Sequence, residues 1–62
     1  SLLDAVAFLR AEFAAARRAL QEELHVLAST YHWSEAEILA LPSDRRRRYV
    51  ARILADRGVR SA

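Results

Sequence analysis

The sequence has 62 residues, no cysteine, one glycine, one proline and a net charge of only +2 at neutral pH. A chain this short buries about 60% of the surface its unfolded form exposes, so its core is small and oligomerisation or docking on a partner is expected. Disulfides and thiol nucleophiles are excluded and a dedicated polycationic binder is disfavoured, although the charge is uneven: residues 1–33 carry three Arg against four acids, residues 34–62 seven Arg against four acids.

Residues 2 to about 31 contain no Gly or Pro and are rich in Ala, Leu, Glu and Arg, so one long helix is expected. Leu2, Val6, Leu9, Phe13, Ala16, Leu20, Leu24, Leu27 and Tyr31 recur at spacings of four or three and draw one apolar stripe along it. Where Leu24 follows Leu20 a second spacing of four interrupts the alternation, which relaxes a left-handed supercoil and favours a straight helix. Leu3, Phe8 and Val26 widen the apolar surface enough for two neighbours: the rest of this chain, and a second copy or another protein. Asp4, Arg10 and Glu12 break the apolar run, so no membrane span and no membrane partner are expected. Neither a basic n-region nor a continuous h-region marks a secretory signal, and a cytoplasmic localisation is expected. Ser1 in place of an initiator Met is read as a trimmed tag or a fragment.

Ser34 has the capping-box partner Glu37 three residues on, which starts a short helix over residues 35–40. Trp33 then stands at the position that staples Ile38 across the helix start. Pro42 discourages continuation through Leu41, and Ser43 is expected to cap a third helix from Asp44 to about Arg57, with Gly58 as its stop and residues 59–62 frayed. Tyr49, Val50, Ile53 and Leu54 form the apolar face of that helix. The fold class is therefore all-α in a single small domain: a long N-terminal helix, a short second one and a medium third one, folded back like a helical hairpin.

All the basic residues are Arg, a bias that a GC-rich genome also produces. Four consecutive residues, Arg45 to Arg48, spread over about 400° if each occupies its full share of a 3.6-residue turn, so they form no flat stripe. Arg45, Arg48 and Arg52 do share a face and are candidates for contacts to phosphates or carboxylates. The helix start is a poor place for unpaired positive charge, so carboxylate partners are expected. A solvated or protein-docking face, salt-bridged to Asp44, Asp56 or acids of the first helix, is favoured over nucleic acid because a net charge of +2 is weak for a dedicated binder.

Glu22 and His25 have the Glu-x-x-His spacing of di-metal bundles, but Glu12 is the only obvious bridging acid, and no metal or other cofactor is expected. With no Gly-rich phosphate loop, and with Ser29, Ser34 and Ser43 all read as helix-end residues, no catalytic residues are assigned and enzymatic activity is not expected.

Residues 31–53 resemble a small group of phage-tail and contractile-injection proteins. The pattern is a His-Trp pair, a Glu-Ile-Leu, a Leu-Pro and an Arg-rich segment ending in an aromatic, here His32, Trp33, Glu37, Ile38, Leu39, Leu41, Pro42, Arg46, Arg47, Tyr49 and Ile53. It is similar to GpE-like phage tail proteins, and closer to short accessory proteins encoded beside tube and baseplate genes in antifeeding-prophage-like clusters. Ser34 stands where the tail proteins often have Pro, and Arg45 where a Glu is typical. The resemblance implies a non-enzymatic part in building a tail-like particle, chaperone-like or as a minor component, with other tail proteins or itself as partner and incorporation into the particle as a second location. On that reading the docking residues are Trp33, Ile38, Leu39, Leu41, Arg45, Arg48, Tyr49 and Arg52. An Arg-rich nucleic-acid binder and a self-dimerising helical domain are the alternatives.

Overall fold

The computed structural model describes residues 1–58, and the expectation of a frayed end at 59–62 lies outside the described residues. Three helices follow one another: α1 (Leu2–Tyr31), α2 (Glu35–Ala40) and α3 (Ser43–Asp56). No strand occurs among the described residues. The all-α hairpin expected from the sequence is the observed fold.

Helix α1 is capped by Ser1, whose Oγ accepts the Asp4 N–H at 3.3 Å. It ends where His32 turns left-handed, with φ at 60° and its N–H donated to the Ala28 carbonyl at 3.0 Å. That single residue throws the chain off the helix axis, and the extended backbone of Ser34 sends it back. The capping box is complete: the Ser34 N–H donates to Glu37 Oε1 at 3.0 Å, and the Glu37 N–H donates to Ser34 Oγ at 3.1 Å. Leu41 before the proline is extended, as sterics require, and α2 stops there.

The start of α3 corrects the expected cap. Ser43 is the first helical residue, Pro42 is the N-cap, and no side chain bonds the helix start. The physical reason lies in Pro42: its fixed φ of −57° and extended ψ already set the entry angle, and its carbonyl accepts the Arg46 N–H at 3.0 Å. At the other end Gly58 takes φ of 76° and donates its N–H to the Ala55 carbonyl, the expected stop, one residue after the Arg57 cap.

The core is small. Leu27 from α1, Ile38 from α2 and Ile53 from α3 are buried, one residue per helix. Leu24, Val26, Ala28, Tyr31, Trp33, Tyr49 and Val50 pack around them half-covered. Burying Leu27 and Ile38 completely contributes about 1.5–3 kcal/mol each. Residues outside this cluster tell the other half of the story. Leu2 and Leu3 are 79% and 80% exposed, Phe13 72%, and Leu9 and Phe8 more than half. Helices α2 and α3 cover the apolar stripe from Leu24 onward and leave residues 2–19 exposed apart from half-covered Ala14, a projecting rod about 27 Å long. The radius of gyration, 14.6 Å, reflects that rod, since a compact chain of this length has one of about 10.6 Å.

Candidate docking site

The site grows from the junction of the three helices. Tyr31 closes α1, Trp33 bridges to α2, and Tyr49 sits nearly two turns into α3. Their rings meet: Tyr31 and Trp33 at 4.8 Å between centroids with the planes tilted by 35°, Trp33 and Tyr49 edge-on at 5.3 Å, and Tyr31 and Tyr49 edge-on at 6.0 Å. Edge-to-face pairs of this kind add about 0.5–1.5 kcal/mol each beyond area burial. Trp33 thus packs against the cluster that contains Ile38, as a staple does, but its ring partners are the two tyrosines.

Beside this aromatic group lies an open concavity of about 520 Å³ lined by Tyr31, Arg45, Arg48, Tyr49, Arg52 and Asp56. Spacings of three, four and three along α3 place Arg45, Arg48, Arg52 and Tyr49 on one side. The Arg45 Nη2 donates to the Tyr49 hydroxyl at 3.3 Å, and its guanidinium carbon is 6.0 Å from the ring centroid. Arg48 pairs with Asp44 at 3.5 Å and Arg52 with Asp56 at 3.4 Å, both highly exposed, so these contacts hold the side chains loosely and leave them available to an outside anion. Of the Arg run itself, Arg48 makes its expected salt bridge within α3, and Arg46 makes one to an acid of α1.

Arg46 points the other way. Its Nε donates to Glu23 Oε1 at 2.8 Å and its Nη1 to the Leu41 carbonyl at 3.4 Å, both largely shielded from water. Arg57 donates to Thr30 Oγ1 at 2.7 Å. These two Arg fasten α3 to α1 and are structural.

The expected docking residues therefore separate. Arg45, Arg48, Tyr49 and Arg52 come together. Trp33 is half-buried behind them, Leu41 is half-covered, and Leu39 is 46% exposed on α2. Ile38 is a correction: it has no exposed surface and belongs to the core, because the start of α2 turns its apolar side onto Leu27 and Ile53. Tyr31 and Asp56 line the concavity without having been assigned to it. The i, i+4 relation of Arg52 and Asp56 was a usable signal for the second; the placement of Tyr31 depends on how α1 and α3 pack and had none.

Among the described residues no group of three or more His, Cys, Asp or Glu could hold a metal ion; Glu22 and His25 are exposed, and Glu23 is committed to Arg46. Ser29 donates its hydroxyl back to the Val26 carbonyl, and Ser34 to Glu37 is the capping box, so both serve helix geometry. Among the described residues Glu37 is the one group whose carboxyl is held below its ordinary range, first by the Ser34 backbone N–H and then by the Ser34 hydroxyl. Among the described residues no helix is long and apolar enough to cross a membrane. No family model, curated protein or solved structure matches the chain.

Proposed function

We propose that the chain is a non-enzymatic protein–protein interaction module of a phage-tail-like or contractile injection apparatus, acting in assembly or as a minor structural component. The observation that supports a docking role is the concavity in which Arg45, Arg48 and Arg52 surround Tyr49 and Tyr31. It offers aromatic area for packing and cations for orientation, the combination that concentrates binding energy at protein interfaces. An acidic, apolar-tipped segment of a partner fits that chemistry. The choice of apparatus rests on the resemblance of residues 31–53, of which Trp33, Ile38, Pro42 and Tyr49 all sit in or beside the three-helix junction.

Co-expression with tube, sheath and baseplate proteins of such an apparatus tests it. One of them should co-purify with the chain, and replacing Arg45, Arg48 and Arg52 together by Ala should abolish capture while the helical content stays. Failure of every component to co-purify, or capture indifferent to the triple change, would count against the reading.

A small nucleic-acid binder is the second reading, favoured by the same three Arg on one side of α3. Asp44 and Asp56 beside them lower its standing, since each repels phosphate. It requires retardation of DNA or RNA at low salt that weakens steeply with added salt.

A further inference from the structure

The surface that the docking site leaves unused is the bare half of α1. At 100° per residue Leu2, Val6, Leu9, Phe13, Ala16 and Leu20 fall within about 80° of one another, a single stripe. Leu2, Leu9 and Phe13 are all more than half exposed, and Val6 is 40% exposed. The stripe is uncovered only up to the point where α2 and α3 begin to lie on its continuation, at Leu24, Leu27 and Tyr31.

We propose that residues 2–20 of α1 pair antiparallel with the same residues of a second copy of this chain. The inference deepens the interaction-module reading by naming a partner for α1 and makes no use of the Arg–Tyr concavity. Its first support is length. An inverted copy runs along the stripe from exposed Leu2 to half-covered Leu20, with Leu2 against Leu20, Val6 against Ala16 and Leu9 against Phe13 of the second copy. The spacings of four, three, four, three and four read the same in both directions, so every apolar position meets an apolar position.

The second support is the position of α2 and α3. They lie on the very side of α1 that carries the stripe. In a parallel pair both copies would bring these helices between two α1 axes that must approach to 8–10 Å, forcing them to splay and leaving only the N-terminal tips in contact. Inverted, each copy's α2–α3 unit stands just beyond the N-terminus of the other. Face to face, the two stripes bury no more than the roughly 1,200 Å² at which specific interfaces begin, so a weak, reversible dimer is expected.

Charge at the rim is a cost to this arrangement. Arg10 and Arg17 flank one edge of the stripe and Glu12 the other, so inversion sets Arg10 near Arg10 of the second copy, whereas a parallel pair would match Glu12 with Arg17. Exposed charges weigh little against apolar area, and the area decides.

The test uses the full chain. Sedimentation across the micromolar range should show a monomer–dimer equilibrium, and Phe13→Glu should weaken it at least about tenfold while the emission of Trp33, which lies in the other half of the molecule, stays unchanged. The absence of cysteine allows orientation to be read directly. A mixture of Ala5→Cys and Ala19→Cys chains should join unlike to unlike with a short bis-maleimide, and Ala16→Cys alone should not join to itself. A monomer at the highest concentration, a dimer indifferent to Phe13→Glu, or Ala16→Cys linking to itself in place of the mixed pair would each overturn the proposal. Capture of an apparatus protein by the Phe13→Glu chain separates the two ideas, because it leaves the concavity intact.

Discussion

Arg46 and Glu23 stand 2.8 Å apart across 23 residues of sequence, and their ion pair fixes how α3 lies on α1. Arg46 also reaches the Leu41 carbonyl, so one guanidinium spans all the junctions of the hairpin. The two side chains keep only 14% and 18% of their surface, which makes the pair unlike the exposed ones on α3.

Removing one partner should therefore hurt more than removing both. Glu23→Ala leaves a shielded guanidinium with one weak acceptor and is expected to cost about 2 kcal/mol. Glu23→Leu combined with Arg46→Leu should recover much of that loss. Asp44→Ala and Asp56→Ala, which release exposed partners, should stay within about 0.5 kcal/mol. Urea unfolding followed by Trp33 emission measures all four variants.

The capping box makes a pH-dependent contribution. In the folded chain Glu37 titrates below its ordinary range, because the Ser34 backbone N–H and then the Ser34 hydroxyl favour its charged form. The stability this provides is fully present above the carboxylate's unfolded value and is lost as pH falls through the lowered folded value. Glu37→Gln should flatten that part of the stability–pH curve, leaving the neutral-pH protein somewhat weaker. Ser34→Ala should cost about 1 kcal/mol at neutral pH. Chemical denaturation at a series of pH values checks both.

Core and rod should respond in opposite ways. Ile38→Ala removes one of three buried residues and is expected to cost about 2–4 kcal/mol, enough to lose the fold of a domain this small. The same change at Leu9, exposed and outside the cluster, should leave the monomer's stability within about 0.5 kcal/mol. Circular dichroism melts on dilute protein distinguish these outcomes.

Much of the fold was legible because its signals are local. The apolar stripe, the Ser34–Glu37 box and Gly58 act within one or two turns, and they place the helices to within a residue. The side of α1 that α2 and α3 cover was legible too; how far along it they reach was not. Ile38 shows why: as a large apolar residue near the helix start it fits a surface knob as well as a core, and only its packing on Leu27 and Ile53 decides. The same holds for Arg46, whose neighbours Arg45 and Arg47 have the same residue type but no acid of α1 in reach among the contacts described. Ser43 was misread because Ser before Asp is a good cap by composition, while the proline ahead of it had already done the work of starting the helix.

His32 offers the cleanest test of the turn. Its φ of 60° lies in the left-handed region, where a side chain costs about 1–2 kcal/mol relative to right-handed backbone and glycine costs much less. Because His32 is exposed, little packing is lost with its side chain. His32→Gly should therefore raise stability by about 0.5–1 kcal/mol even after glycine's greater unfolded-state freedom is counted. His32→Val should lower it by about 1 kcal/mol, since β-branching makes the left-handed conformation harder to reach. If urea midpoints moved in the reverse order, the imidazole itself would be holding the turn, and the left-handed backbone would not be what limits it.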